Sequence, residues 1–214
     1  MAGPHRATVE GGGSRRLACL ATLLLACGCS AAAVPDDNRT EAMFLQWLPM
    51  QRAEVAAFEA YLAQQQVLDV SPTWQLLRTA SMWKECQAAP FQVPPRAEWP
   101  EAARVLALLQ ELRRTKVLGP FSVVSAYRDP ALNRCAGGAR HSSHMQFAVD
   151  LVLLAPGDDQ KLCDFFRQSG QGWNMGLSRY PSGRIHVDRT GFRTWGADYT
   201  SRTSFCRQLA QKRP

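Results

Sequence analysis

The chain has 214 residues, of which 46% are hydrophobic and 20% charged, with 25 Lys and Arg against 18 Asp and Glu for a formal charge of +7. That length holds one domain with a real core. The basic excess suits an anionic polymer such as a cell wall, but no basic block carries interleaved aromatics, which argues against nucleic acid as a partner.

Arg15 and Arg16 precede an apolar run from Leu17 to Ala26 that is too short to span a bilayer as a mature helix. Small residues follow at Gly28, Ser30 and Ala31 to Ala33, so residues 1–33 read as a secretory signal. Cys27 and Cys29 in LLLACGCS resemble a bacterial lipobox, which would make the protein a lipoprotein tethered to a membrane. The alternative is cleavage after Ala33 to release a soluble protein. Loss of this segment lowers the charge to about +5 and leaves Cys86, Cys135, Cys163 and Cys206. An even number in an exported chain predicts two disulfides. Three pairings are open, and Cys86–Cys135 with Cys163–Cys206 is preferred because each ties a flanking segment to the core. A periplasmic location and a monomer are the matching expectations.

Residues 34–40 form a polar tether, and residues 41–117 a helical region. Phe44, Leu48, Val55, Phe58 and Leu62 predict a helix from Glu41 to about Gln66. Ser71-Pro72-Thr73 starts a short helix through Leu77 toward Met82, and the prolines between Ala89 and Pro95 mark an extended connector. Pro100 opens a helix whose stripe of Ala103, Leu106, Leu109 and Leu112 is core. Trp74, Trp83 and Trp99 belong to the core or to a groove wall. From residue 118 to 214 the period changes. Phe121–Ser125 is a strand, a turn and short helix follow, and Phe147–Leu154 is an apolar strand interrupted only by Asp150. Asp158–Arg167 is helical, and Arg184–Asp188 is the last core strand. The fold class is α+β: a small antiparallel sheet flanked by helices, with a helical N-terminal half.

A charge such as Asp150 inside an apolar run needs a partner or a metal. In RIHVD, strand alternation puts Arg184, His186 and Asp188 on one face and Ile185 and Val187 on the other. His144 lies in the loop before the strand that carries Asp150. Two imidazoles and a carboxylate are a set that binds catalytic zinc with a fourth position open to water. The plainer alternative is a surface His186–Asp188 pair and a capped Asp150.

From Leu118 to Trp195 the motifs SAYR (Ser125–Arg128), Asn133, Gly137-Gly138, SSHMQFAVD and RIHVD, ending at Trp195, occur in order. This series resembles the zinc D-Ala-D-Ala carboxypeptidases of peptidase family M15, with the hedgehog/DD-peptidase fold, and most closely their murein-peptidase branch. The resemblance implies a Zn2+ ion held by His144, Asp150 and His186, with Arg128 polarising the substrate carbonyl. It gives Asp188 either a histidine-orienting or an acid-base role. Tyr127, Ser142, Tyr180 and Trp195 become candidates to contact substrate, a peptidoglycan peptide. The implied protein is an exported metallopeptidase, a carboxypeptidase or endopeptidase. A non-catalytic peptidoglycan-binding or structural lipoprotein with a degenerate site, and a zinc enzyme acting on another amide or ester, are the rivals.

Two departures from the family pattern bear on this. Five residues, Met145–Val149, separate His144 from Asp150 where six are usual, and an extended residue spans about 3.3 Å, enough to displace a ligand. His141 is then a substitute ligand. Gly183 stands where many relatives have a glutamate base, leaving Asp188, then His141, as proton acceptors.

Overall fold

The computed structural model describes Gly3 and residues 38–211, and those from 38 onward belong to one compact unit. The expected signal segment, Cys27, Cys29, Ala33 and most of the tether lie outside the described residues. No helix among the described residues is long and apolar enough to cross a membrane.

The helical region begins at α1 (Glu41–Trp47), where the Thr40 hydroxyl accepts from the Met43 amide. The single helix expected from Glu41 to Gln66 is divided. Pro49 has no amide hydrogen and its ring crowds the preceding turn, so Leu48–Met50 tightens into a 3-10 turn before α2 (Arg52–Gln64). The helix after Pro72 is shorter than its pattern suggests. It ends after one turn, α3 (Thr73–Leu76), because Arg78 pairs with Phe91 in an antiparallel bridge and the Thr79 amide bonds to the Pro90 carbonyl. The stripe of α4 (Trp99–Arg114) is fully apolar: Val105, Leu106, Leu108, Leu109 and Leu112 have no exposed surface. Trp99 joins the same core, and Arg113 and Arg114 occupy the last turn, where cations suit the helix dipole.

Five strands form one sheet in the order β1-β2-β4-β3-β5: β1 (Phe121–Ser125), β2 (Ala148–Leu153), β3 (Gly176–Arg179), β4 (Ile185–Asp188) and β5 (Arg193–Trp195). Every pairing is antiparallel except β3 with β5. The sheet is thus mixed α+β architecture as expected, with one parallel edge. Helices α5 (Pro130–Cys135), α6 (Asp159–Ser169) and α7 (Phe205–Gln211) complete it. One face of the sheet, with Val149, Leu151, Ile185 and Val187, shares a continuous core with Phe58, Leu62, Leu106 and Leu109 of the helices. The other face carries the polar residues.

Edge strand β1 is covered rather than left open. Arg39 donates to the Val124 and Thr79 carbonyls, both at 2.6 Å, and Arg78 to the Val123 carbonyl at 2.8 Å. Gln75 accepts from the Val123 amide. Both arginines are buried, so the helical region is fastened to the strand that leads into Arg128.

Cys86–Cys135 ties the loop after α3 to α5, and Cys163–Cys206 ties α6 to α7, the preferred pairing. The second bridge spans 43 residues of sequence, and a closed loop of that size restricts the unfolded chain by about 4 kcal/mol in the chain-entropy model. The Cys163→Ser/Cys206→Ser variant is expected to lose about 2–4 kcal/mol, read as a lower urea midpoint with the slope little changed.

Candidate metal centre

Sheet register assembles the site. Ser125 of β1 pairs with Asp150 of β2, Asp150 with His186 of β4, His186 with Ser178 of β3, and Ser178 with Trp195 of β5. Paired residues of adjacent strands point to the same face, so one row crosses all five strands. A register shift between Val123 and Ser125 brings Ser125 opposite Asp150, a local device common beside active sites. A second row runs Ala148, Asp188, Gly176, Arg193.

His144 enters from a 3-10 turn, Ser143–Met145, capped by the Ser142 hydroxyl. The Phe147 amide bonds to the Ser143 carbonyl at 2.9 Å, and the Arg128 amide to the His144 carbonyl at 3.0 Å. The spacer therefore starts wound and becomes extended only at Ala148, and the missing residue does not pull His144 away. His144, Asp150 and His186 are all buried and offer three ligand atoms within 4.8 Å of one another.

The donor set fits zinc. Asp150 Oδ1 lies 3.3 Å from His144 Nε2 and 2.9 Å from His186 Nδ1, against roughly 3.3 Å between donors of a tetrahedral zinc with bonds near 2.0–2.1 Å. The other ring nitrogens are engaged elsewhere. His144 Nδ1 donates to the Ala126 carbonyl at 2.6 Å, and His186 Nε2 donates to Asp188 Oδ2 at 2.9 Å. These bonds select the tautomers whose lone pairs face Asp150. Burial, then the Arg128 charge, pushes the His144 pKa down to about 4, so its ligand nitrogen is free at neutral pH. Burial works against charge on Asp150, but His144, His186 and Arg128 outweigh it and hold the carboxyl well below its usual range. For His186, burial is opposed by hydrogen bonds to Asp150 and Asp188, and the net shift is upward.

Asp188 is fully buried with both oxygens occupied. Oδ1 accepts from the Thr190 amide and hydroxyl and from Arg193, while Oδ2 accepts from His186 and Arg193. Burial opposes its ionisation, but the His186 bond and Arg193 win, leaving it anionic. It therefore sits behind the imidazole, on the side away from Asp150. Arg128 donates to Asp150 Oδ2 at 2.8 Å and to the Ser125 hydroxyl at 2.9 Å, and its Nη2 is 3.3 Å from His144 Nε2.

A cavity of about 500 Å³ opens over the cluster, lined by Arg128, His141, Tyr180, Trp195 and Tyr199 among others. The Tyr180 hydroxyl is 3.4 Å from His186 Nδ1. Burial, then the Asp150 charge, raises its pKa, so it remains a phenol. The Trp195 ring meets His186 edge to face at 5.2 Å, and Ser142 also lines the cavity. Tyr127 does not: it is buried in the hydrophobic core. Trp74, Trp83 and Trp99 are likewise absent from the cavity wall. Gly183, at φ +83°, lies exposed in the β3–β4 turn.

Sequence reasoning missed Arg193 and Gly176. Arg193 belongs to a three-residue strand without a pattern of its own. Gly176 gave one signal, a glycine two residues before Ser178 in a segment leading to the final strand. A Cβ there would lie 2.3 Å from Asp188 Oδ2, far inside contact distance. Gly176→Ala is expected to displace the carboxylate that holds His186 and to weaken zinc binding roughly 10–100-fold, measured by competition with a chromogenic chelator.

No curated protein and no solved structure matches this chain. The family model described as Peptidase M15 matches residues 75–188, more than half of the sequence, and its span includes Arg128 and the His144, Asp150 and His186 cluster together with Asp188. Members of that family are zinc-dependent, in keeping with the donor set found here. The chain belongs to the peptidase M15 family.

Proposed function

We propose that the protein is an exported zinc metallopeptidase that cleaves amide bonds in peptidoglycan peptides. The observation that carries this reading is the convergence of three buried, correctly oriented donors, two of which, His144 and His186, line an open cavity inside a peptidase-family domain. Two disulfides support the exported location. The rival of a binding lipoprotein with a degenerate site rested on the short spacer, and the wound turn at Ser143–Met145, which keeps His144 beside Asp150, favours the metallopeptidase over it.

His144, Asp150 and His186 would hold the zinc, which when bound supplies a Lewis acid and an acidified water. Arg128 has its guanidinium beside the ligand cluster and at the cavity wall, placed to stabilise negative charge developing on the substrate carbonyl oxygen. Tyr180 remains a hydrogen-bond donor facing the same volume, and Ser142 and Trp195 border it as substrate contacts. Asp188 orients His186. It is enclosed by five hydrogen bonds and has no path to a substrate proton. Among the described residues lining the cavity there is no Asp or Glu, and His141 is the imidazole outside the ligand set. His141 is therefore the proton carrier of this reading, accepting from the attacking water and returning to the leaving amine.

Metal analysis of the gently purified protein tests the first part: about one equivalent of zinc is expected for a three-ligand catalytic site, and less than a tenth would sink the enzyme. Digestion of purified sacculi, with released fragments identified by mass, tests the second. Release of terminal D-Ala marks a carboxypeptidase, release of crosslinked stems an endopeptidase, and zinc-loaded protein that releases neither refutes the cell-wall substrate.

A further inference from the structure

Beyond β5 lies a second cleft of about 440 Å³, between α6, β5 and α7. It shares Arg193, Thr194 and Ser201 with the metal-centred cavity, so the two are neighbouring parts of one surface. Its wall is apolar where Phe166 and Phe192 stack, with ring centroids 4.7 Å apart, and Phe192 is 42% exposed. Arg167 and Arg207 also line it, together with Arg193, and no Asp or Glu does. Arg193 is engaged with Asp188, and Arg167 is paired with Asp164. Arg207 is exposed and has no ion pair among the described residues. The Cys163–Cys206 bridge fixes the α6 and α7 walls relative to each other, so the cleft is preformed.

We propose that this cleft is a substrate subsite for a carboxylate-bearing segment with apolar neighbours, remote from the bond being cut. The inference rests on the peptidase reading and adds to it. Arginines beside an aromatic wall match a carboxylate on a short peptide: the guanidinium takes the charge, and the ring faces take the methyl and methylene groups next to it. A substrate held at the metal cavity and extended past Thr194 enters this cleft directly.

The probes are two fluorescein-labelled pentapeptides ending in D-Ala-D-Ala, one with Glu and one with Gln at the second position. Fluorescence anisotropy with the full chain measures binding and needs no turnover. The Glu peptide is expected to bind roughly fivefold more tightly at low salt, the upper range for an exposed ion pair, and the preference should shrink as salt rises. Arg167→Glu/Arg207→Glu should abolish or reverse it, and Arg207→Gln, which adds no repulsion, should reduce it in part. Both sites are exposed, so unchanged thermal melting is expected of the variants. Equal binding of the two peptides by the wild-type protein, or a preference that survives in the double variant, overturns the subsite. Cleavage is scored separately: discrimination without cleavage by zinc-loaded protein sinks the peptidase reading alone, and cleavage without discrimination sinks the subsite alone.

Discussion

His186→Ala is expected to purify with less than about a tenth of an equivalent of zinc and to lose activity on the order of 10⁴-fold or more, the several kcal/mol that metal assistance contributes to the transition state. His186 is the junction of the site. Its Nδ1 faces Asp150 Oδ1 at 2.9 Å, and its Nε2 holds Asp188 at 2.9 Å. Its removal takes away one of three candidate ligands and leaves Asp150 and Asp188 without a shared partner. The variant should still fold. Asp188 keeps Arg193 and Thr190, and Asp150 keeps Arg128. The loss in stability should therefore fall below the roughly 3–5 kcal/mol typical of an orphaned buried charge. Zinc content, hydrolysis of a D-Ala-D-Ala peptide and the thermal midpoint are the three measurements. A native-like melt with zinc absent identifies a ligand. A full equivalent of zinc, or surviving hydrolysis, moves the metal to another place.

What could be read from the sequence follows from which signals are local. The α4 stripe and the alternation in RIHVD are set by neighbours three to four and two residues apart, and both appear in the structure where their periodicity places them. The pairing of Asp150 opposite His186 is not local. It depends on register between strands separated by 36 positions; ligand chemistry and strand alternation proposed the grouping, and the motif series strengthened it. The short spacer misled in the opposite direction. Counting residues assumes an extended chain, whereas Ser142 caps a 3-10 turn that brings His144 back over β2. Strands β3 and β5 were invisible because GLSR and RTW are short and lack the β-branched pair, Ile185 and Val187, that marks β4. With them were hidden Gly176, which leaves room for the Asp188 carboxylate, and Arg193, which holds it. Pro49 and the Arg78–Phe91 bridge shortened helices that the hydrophobic pattern alone would have continued.

Arg128→Ala should keep its zinc and lose about 10²–10³-fold in kcat, the usual cost of removing a donor aimed at a developing oxyanion. The candidate metal donors are His144 Nε2, Asp150 Oδ1 and His186 Nδ1, whereas Arg128 bonds to the other oxygen, Asp150 Oδ2. The guanidinium thus bonds the carboxylate oxygen that faces neither histidine, although its Nη2 lies 3.3 Å from His144 Nε2, and it can be removed without deleting a candidate ligand. Its remaining anchors, Ser125 and the backbone bond to His144, show how the side chain is aimed. Ser125 accepts from both Nε and Nη2, and Asp150 from Nη2, so the guanidinium is held by that edge where Arg128 helps to line the cavity. Arg128→Lys retains charge but not the planar fork, and it should recover only a small part of the loss. The division between kcat and KM carries the argument. A fall in kcat with KM nearly unchanged places the guanidinium on the transition state, whereas a rise in KM alone would make it a ground-state anchor. Loss of zinc from Arg128→Ala would assign it instead to holding Asp150.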